Sequence, residues 1–241
     1  MIRVDKSTVI VPKILREGKG FEMTNQLKTD FDNGIRSFDF DSKTYGNKSV
    51  KNLLIKIQHK KCCFCERYRP YARECDVEHF RPKGGYQIDE DSPLTQPGYY
   101  WLAYDFGNLF YSCKTCNQAY KKNFFPLLDE NKRAKNHNDD LDLEECLLIH
   151  PEFDDPQNHI TFVEEIAKPI NDSIKGKTTI KYLGLNDSEL LKERFEYLRP
   201  LKIVAELARN QHQKAIDHFK EITKPKSMFS MLVRCNFPDL V

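Results

Sequence analysis

No apolar run in the sequence approaches the ~18 residues that a membrane-crossing helix needs. The opening residues, MIRVDK, lack the ~7–15-residue apolar stretch of a secretory signal. Together these absences lead us to expect a cytoplasmic protein with no membrane partner. Internal repeats and low-complexity tracts are also missing, so neither a repeat array nor a disordered linker dominates the chain. Charge of one sign is scarce as well: 38 basic against 36 acidic residues leave a net +2, which neither demands nor excludes a nucleic-acid partner. What is present, 241 residues with 39% hydrophobic content, 16 Phe and 11 Tyr, suits one or two globular domains with a real core.

Charge is distributed less evenly than its sum suggests. Residues 56–83 hold eight Lys/Arg against four acids and residues 112–135 hold six against two, whereas residues 136–167 hold ten acids and no Lys or Arg. Two basic segments followed by an acidic block suit a positively charged site next to a segment facing solvent or a basic partner.

The eight cysteines should stay reduced without export, so their spacing is read as metal chemistry before disulfides. Cys62 with Cys65 and Cys113 with Cys116 form two C-x-x-C pairs, a spacing that offers four thiolates to a structural zinc at ~2.3 Å. Cys63 could compete with Cys62, but the two-residue spacer to Cys65 favours Cys62. Cys75, Cys146 and Cys235 read as small buried hydrophobes.

Residues 1–46 carry no motif and read as an N-terminal arm or packing segment. Residues 47–59 place Val50, Leu53, Leu54 and Ile57 at helical spacing and lead into the first cysteine pair. Residues 73–82 alternate and end at a proline, as a short β-ribbon would, and residues 83–97 read as a loop. The aromatic-dense stretch 98–113, with the single tryptophan, reads as core beneath a site. A short helix is expected over 117–122, and strands over 146–149 and 159–164. Asn186 and Glu189 have capping-box spacing ahead of an amphipathic helix that should break or kink near Pro200.

Between and after the cysteine pairs stand DVEHFRPKGG and FGNLFYSCKTCNQAYKK, which put acids, a histidine and two asparagines in order. Metal-dependent phosphodiester hydrolysis needs a hard cation on oxygen ligands and a base for water, and a neutral imidazole suits the second task. His79 would be the base. Glu78 would give a carboxylate oxygen to Mg or Mn and Asn117 an amide oxygen, while Asn108 would brace the ribbon and the imidazole. Arg81, Lys83, Lys121 and Lys122 could hold phosphates, although the last two could equally form a solvated helix face.

These residues resemble the HNH endonuclease family, whose ββα-metal fold sets the acid–histidine pair on a hairpin, a middle Asn in the loop and a last His or Asn on the helix. The wider context, including WLAYDFGNL, LLIHPEFDDPQNHITF and YLGLNDSELLKER, is similar to the branch formed by the nuclease subunits of Septu anti-phage systems (PtuB-type) and their retron-associated relatives. The resemblance covers roughly residues 51–194. It implies an α+β protein with a zinc-stabilised nuclease core over 47–135, a mostly helical accessory or docking region over 136–241, and an ABC-type ATPase partner of the RecF or SMC kind. The family's usual acid before the histidine is Asp. Here it is Glu78, so Asp76 is a rival metal ligand, and in a regular strand Asp76 and Glu78 share the face opposite His79, which would require a bulge or bend. Two other functions stay open: a non-catalytic zinc-binding adapter that recruits nucleic acid or the ATPase, and a nuclease acting on RNA such as tRNA.

Overall fold

Local sequence decides where the segments ahead of the ribbon turn helical. The computed structural model describes Met1 and residues 3–241 and gives a mixed α+β fold with two small sheets. The N-terminal segment packs rather than trails: α1 (Lys13–Arg16), α2 (Lys19–Asp32) and α3 (Ser42–Tyr45) bury Leu15, Leu27 and Thr44. Asn47 then caps α4 (Lys48–Ile57) by accepting from the Ser49 N–H, and Val50 and Leu54 bury the apolar stripe.

The ribbon pairs across a long connection. Strand β1 (Cys75–His79) runs antiparallel to β2 (Leu109–Cys113) in an unbroken register from Cys75 opposite Cys113 to His79 opposite Leu109. Of the bulge or bend expected at the strand end, the structure has no bulge within the register and a bend directly after His79, at Phe80 and Arg81. Directly beyond β2, Thr115–Lys121 form one wide π-helical segment closed by the bond from the Lys122 N–H to the Asn117 carbonyl. This is the helix expected over 117–122, shifted toward Cys116 and wound more loosely.

Farther on, β3 (Ile160–Val163) pairs with β4 (Ile166–Pro169), which the sequence did not suggest because its two-residue turn has no glycine or asparagine and instead holds Glu164 at φ 53°. The strand expected over 146–149 does not form. Its neighbour across the single Leu127–Cys146 bridge includes Pro126, which has no N–H to extend a ladder.

Helices α5 (Ile174–Tyr182), α6 (Ser188–Arg209), α7 (Gln213–Ile222) and α8 (Ser230–Asn236) complete the chain. Asp187, not Asn186, caps α6; the Asn186 amide brackets the Ala167 backbone instead. Nor does α6 break at Pro200. The lost backbone bond is offset by Leu198, Leu201, Ala205 and Ala208, which are buried on both sides of the proline, and the chain turns at Asn210–His212 with Gln211 at φ 63°. Buried side chains from the N-terminal segment, the ribbon region and the C-terminal helices form one continuous core.

Candidate active site and cysteine cluster

Cys62 and Cys65 lie in a tight turn closed by the Glu66 N–H donating to the Cys62 carbonyl, and the Cys63 N–H ties that turn to Tyr111 on β2. Cys113 ends β2 and Cys116 sits in the π-helical segment. Their four Sγ atoms lie within 4.8 Å of one another, all buried. The Cys65–Cys113 sulfur separation of 3.8 Å matches the edge of a tetrahedron of ~2.3 Å Zn–S bonds. The donor set therefore fits a structural zinc. Cys63 stays outside the cluster, and burial pushes its thiol well above the usual range.

Around the end of β1 opens a cavity of about 610 Å³ whose wall includes Asp76, Glu78, His79, Lys83, Asn117 and Lys122. The His79 ring is buried with its edge toward Tyr45, at 4.6 Å between centroids. Its Nε2 lies 2.9 Å from the Ala103 carbonyl, which accepts only if Nε2 carries the proton, so Nδ1 is left with the lone pair. The Lys83 Nζ stands 3.4 Å from that Nδ1. Burial, then Lys83, pushes the imidazole well below its ordinary range, so it is neutral at neutral pH.

Asp76 and Glu78 differ sharply. The Asp76 Oδ2 accepts from Gln118 at 2.7 Å and from Asn117 at 3.3 Å. Glu78 is buried, with Oε1 2.7 Å from the Lys121 Nζ in an ion pair whose angle falls outside hydrogen-bond geometry, while that Nζ donates to the His79 carbonyl at 3.2 Å. Burial pushes the Glu78 carboxyl up and the Lys121 charge opposes it.

Two of the expected phosphate ligands lie elsewhere. Lys121 is fully buried against Glu78, because the wide helical turn directs it inward, so it is neither a solvated face nor free to meet a phosphate. Arg81 lines a different cavity and bonds Glu144 at 2.9 Å. Asn108 does brace the ribbon, with Oδ1 accepting from the Arg81 N–H at 2.7 Å and Nδ2 donating to the Arg81 and Leu102 carbonyls. It does not touch the imidazole; the Ala103 carbonyl does. No side-chain signal could have found Ala103, since it acts through its backbone. Gln118 was discoverable as the polar neighbour of Asn117, and Tyr45 was hidden by its distance along the chain.

No family model matches the chain. The chain is similar to Septu protein PtuB of Bacillus mycoides (strain KBAB4), with 38% identity over 183 residues, 76% of this chain and 61% of that protein. It also matches Septu protein PtuB of Bacillus thuringiensis at 29% over 151 residues, 62% of this chain and 46% of the relative. Septu protein PtuA of Bacillus mycoides (strain KBAB4) aligns at 30% over 145 residues, 60% of this chain and one fifth of PtuA. The chain thus spans less than two thirds of each of these relatives. Among the described residues no helix is long and apolar enough to cross a membrane.

Proposed function

We propose that the chain is a metal-dependent endonuclease of the HNH kind that hydrolyses phosphodiester bonds in DNA. The observation that carries this reading is the His79 imidazole, fixed through Nε2 by Ala103 and presenting Nδ1 to a cavity that also holds Asp76, Asn117 and Lys83. In this mechanism Nδ1 takes a proton from water as the water oxygen bonds to phosphorus. The opposite bridging P–O bond breaks, and its oxygen leaves with the electron pair and is protonated from solvent. Lys83 holds a non-bridging oxygen and, together with burial of the ring, keeps the base neutral.

A Mg or Mn ion would stabilise the charge on the phosphoryl and leaving oxygens. Asp76 and Asn117, adjacent on the cavity wall, suit such a hard cation, which typically takes one or two protein carboxylates and completes its shell with water and phosphate. Glu78, already neutralised by Lys121, is the weaker candidate. The cysteine cluster, if it carries zinc, pins β2 and the π-helical segment to the turn that follows α4.

Similarity to Septu proteins supports a role as the effector subunit of an anti-phage complex with an ABC-type ATPase. The test is plasmid nicking in Mg or Mn, with the co-encoded ATPase where one exists, comparing wild type with His79→Ala and offering RNA in parallel. Metal-dependent cleavage lost in a folded, zinc-loaded variant supports the proposal. Absence of cleavage in every condition, with zinc retained, overturns it in favour of the adapter.

A further inference from the structure

At the C-terminal end of α4 lies a second open groove of about 640 Å³, separate from the cavity at His79. Its wall includes Ile55, Lys56, His59, Lys60, Tyr68 and Lys226, and no carboxylate lines it. In a chain of net charge +2 that is a local concentration of one sign. Lys56 and Lys60 are exposed with no acidic partner among the described residues, and the Tyr68 ring is 43% exposed.

The backbone is arranged to present these side chains. Helix α4 ends in a Schellman motif, with the Lys60 N–H bonded to the Ile55 carbonyl and the His59 N–H to the Lys56 carbonyl. The position past the end that glycine normally takes is His59, at φ 54°, and Lys60 follows at φ 60°. Two consecutive side chains in the left-handed region cost conformational energy that glycine would avoid. From the other side, the buried Lys61 Nζ donates to the Pro225 carbonyl at 2.5 Å and the Ser227 carbonyl at 2.9 Å, which fixes the loop that carries Lys226.

Helix α4 contributes to the walls of both the groove and the cavity. Lys51, on the same helix, lines the cavity and donates to the Cys75 carbonyl at the start of β1. Lys56 stands five residues farther on, about 7.5 Å along the axis and about 140° around it, so a strand running between the two would pass across the helix.

We infer that this groove is a DNA-strand track, in which Lys56, Lys60 and Lys226 contact phosphates and Tyr68 stacks on a base as the strand leaves the cavity. The inference rests on the nuclease reading for the strand's destination but not for its binding. Lys56 and Lys60, without acidic partners, and Lys226, which a phosphate would draw from its 3.4 Å pairing with Glu221, suit a polyanion, and an exposed ring beside them suits an unstacked base.

The test is fluorescence anisotropy with a fluorescein-labelled single-stranded DNA oligonucleotide in metal-free buffer without chelator, across a salt series. Lys56→Gln/Lys60→Gln/Lys226→Gln should weaken binding and reduce the slope of log K against log salt by about 2, at ~0.7 for each phosphate that a lysine no longer neutralises. Tyr68→Ala should weaken binding roughly tenfold with the slope unchanged. A wild-type chain that binds DNA through the groove but does not cleave it with any metal would sink the nuclease reading and leave this one standing. Wild-type affinity and slope in the triple variant, with an unchanged melting temperature, would overturn the track. So would an absence of DNA binding by wild type, or a clear preference for RNA of the same sequence.

Discussion

The Lys121 ammonium lies 2.7 Å from the Glu78 carboxylate, and both side chains are almost wholly withdrawn from solvent. The pair joins the π-helical segment to β1, next to the histidine that would act as base. Removing one member leaves an uncompensated buried charge. Lys121→Met should therefore destabilise the protein by roughly 3–5 kcal/mol, and Lys121→Met/Glu78→Gln should recover most of that loss in urea unfolding. The penalty of the single variant should shrink as pH falls, because Glu78 then takes up a proton.

Lys83 and His79 are coupled in the opposite sense. Burial first, and then the lysine, disfavour a second proton on the ring, so the base stays neutral below the usual histidine range. Lys83→Met should move the acid limb of the pH–rate profile upward toward ~6.5. An unmoved limb would separate Lys83 from the base.

Asp76→Asn should raise the Mg concentration needed for half-maximal cleavage at least tenfold, and Glu78→Gln should change it much less. Titration of nicking rate against Mg reads both. The reverse order would assign the metal to Glu78.

Cys113→Ser should abolish zinc binding measured by elemental analysis, where wild type holds one ion per chain. Because the cluster joins three segments, the same variant should be cut by protease between residues 62 and 121 before the C-terminal helices are.

His150 supplies an acid-lability prediction. Its ring packs against Phe80 and Phe153, and Nδ1 accepts from the Glu152 and Phe153 N–H groups. Burial pushes it down to about 3. The folded state resists a proton that the unfolded chain accepts near ~6.5, so stability is complete above that pH and declines below it. Between pH 7.5 and 5 the loss from this group should be about 2 kcal/mol. His150→Asn should flatten that slope in urea midpoints, whatever its effect at pH 7.5.

Much of this was legible because it is local. The Val50–Ile57 spacing makes a helix by itself, Asn47 can cap it through one nearby N–H, and C-x-x-C pairs bring sulfurs together within a turn. The order of Asp76, Glu78, His79, Asn108 and Asn117 named the candidate site before its shape was known.

Tertiary structure decided what depends on distant partners. Whether Lys121 meets solvent or Glu78 turns on one loosely wound helical turn, and whether α6 survives Pro200 turns on the core that covers both sides of it. The tautomer of His79 is set by the carbonyl of Ala103, a backbone atom brought there by a long connection. Residue type and spacing specify which groups are available. Burial and the long-range hydrogen bonds of the folded chain specify which of them are neutralised, which face the cavity, and which proton a ring carries.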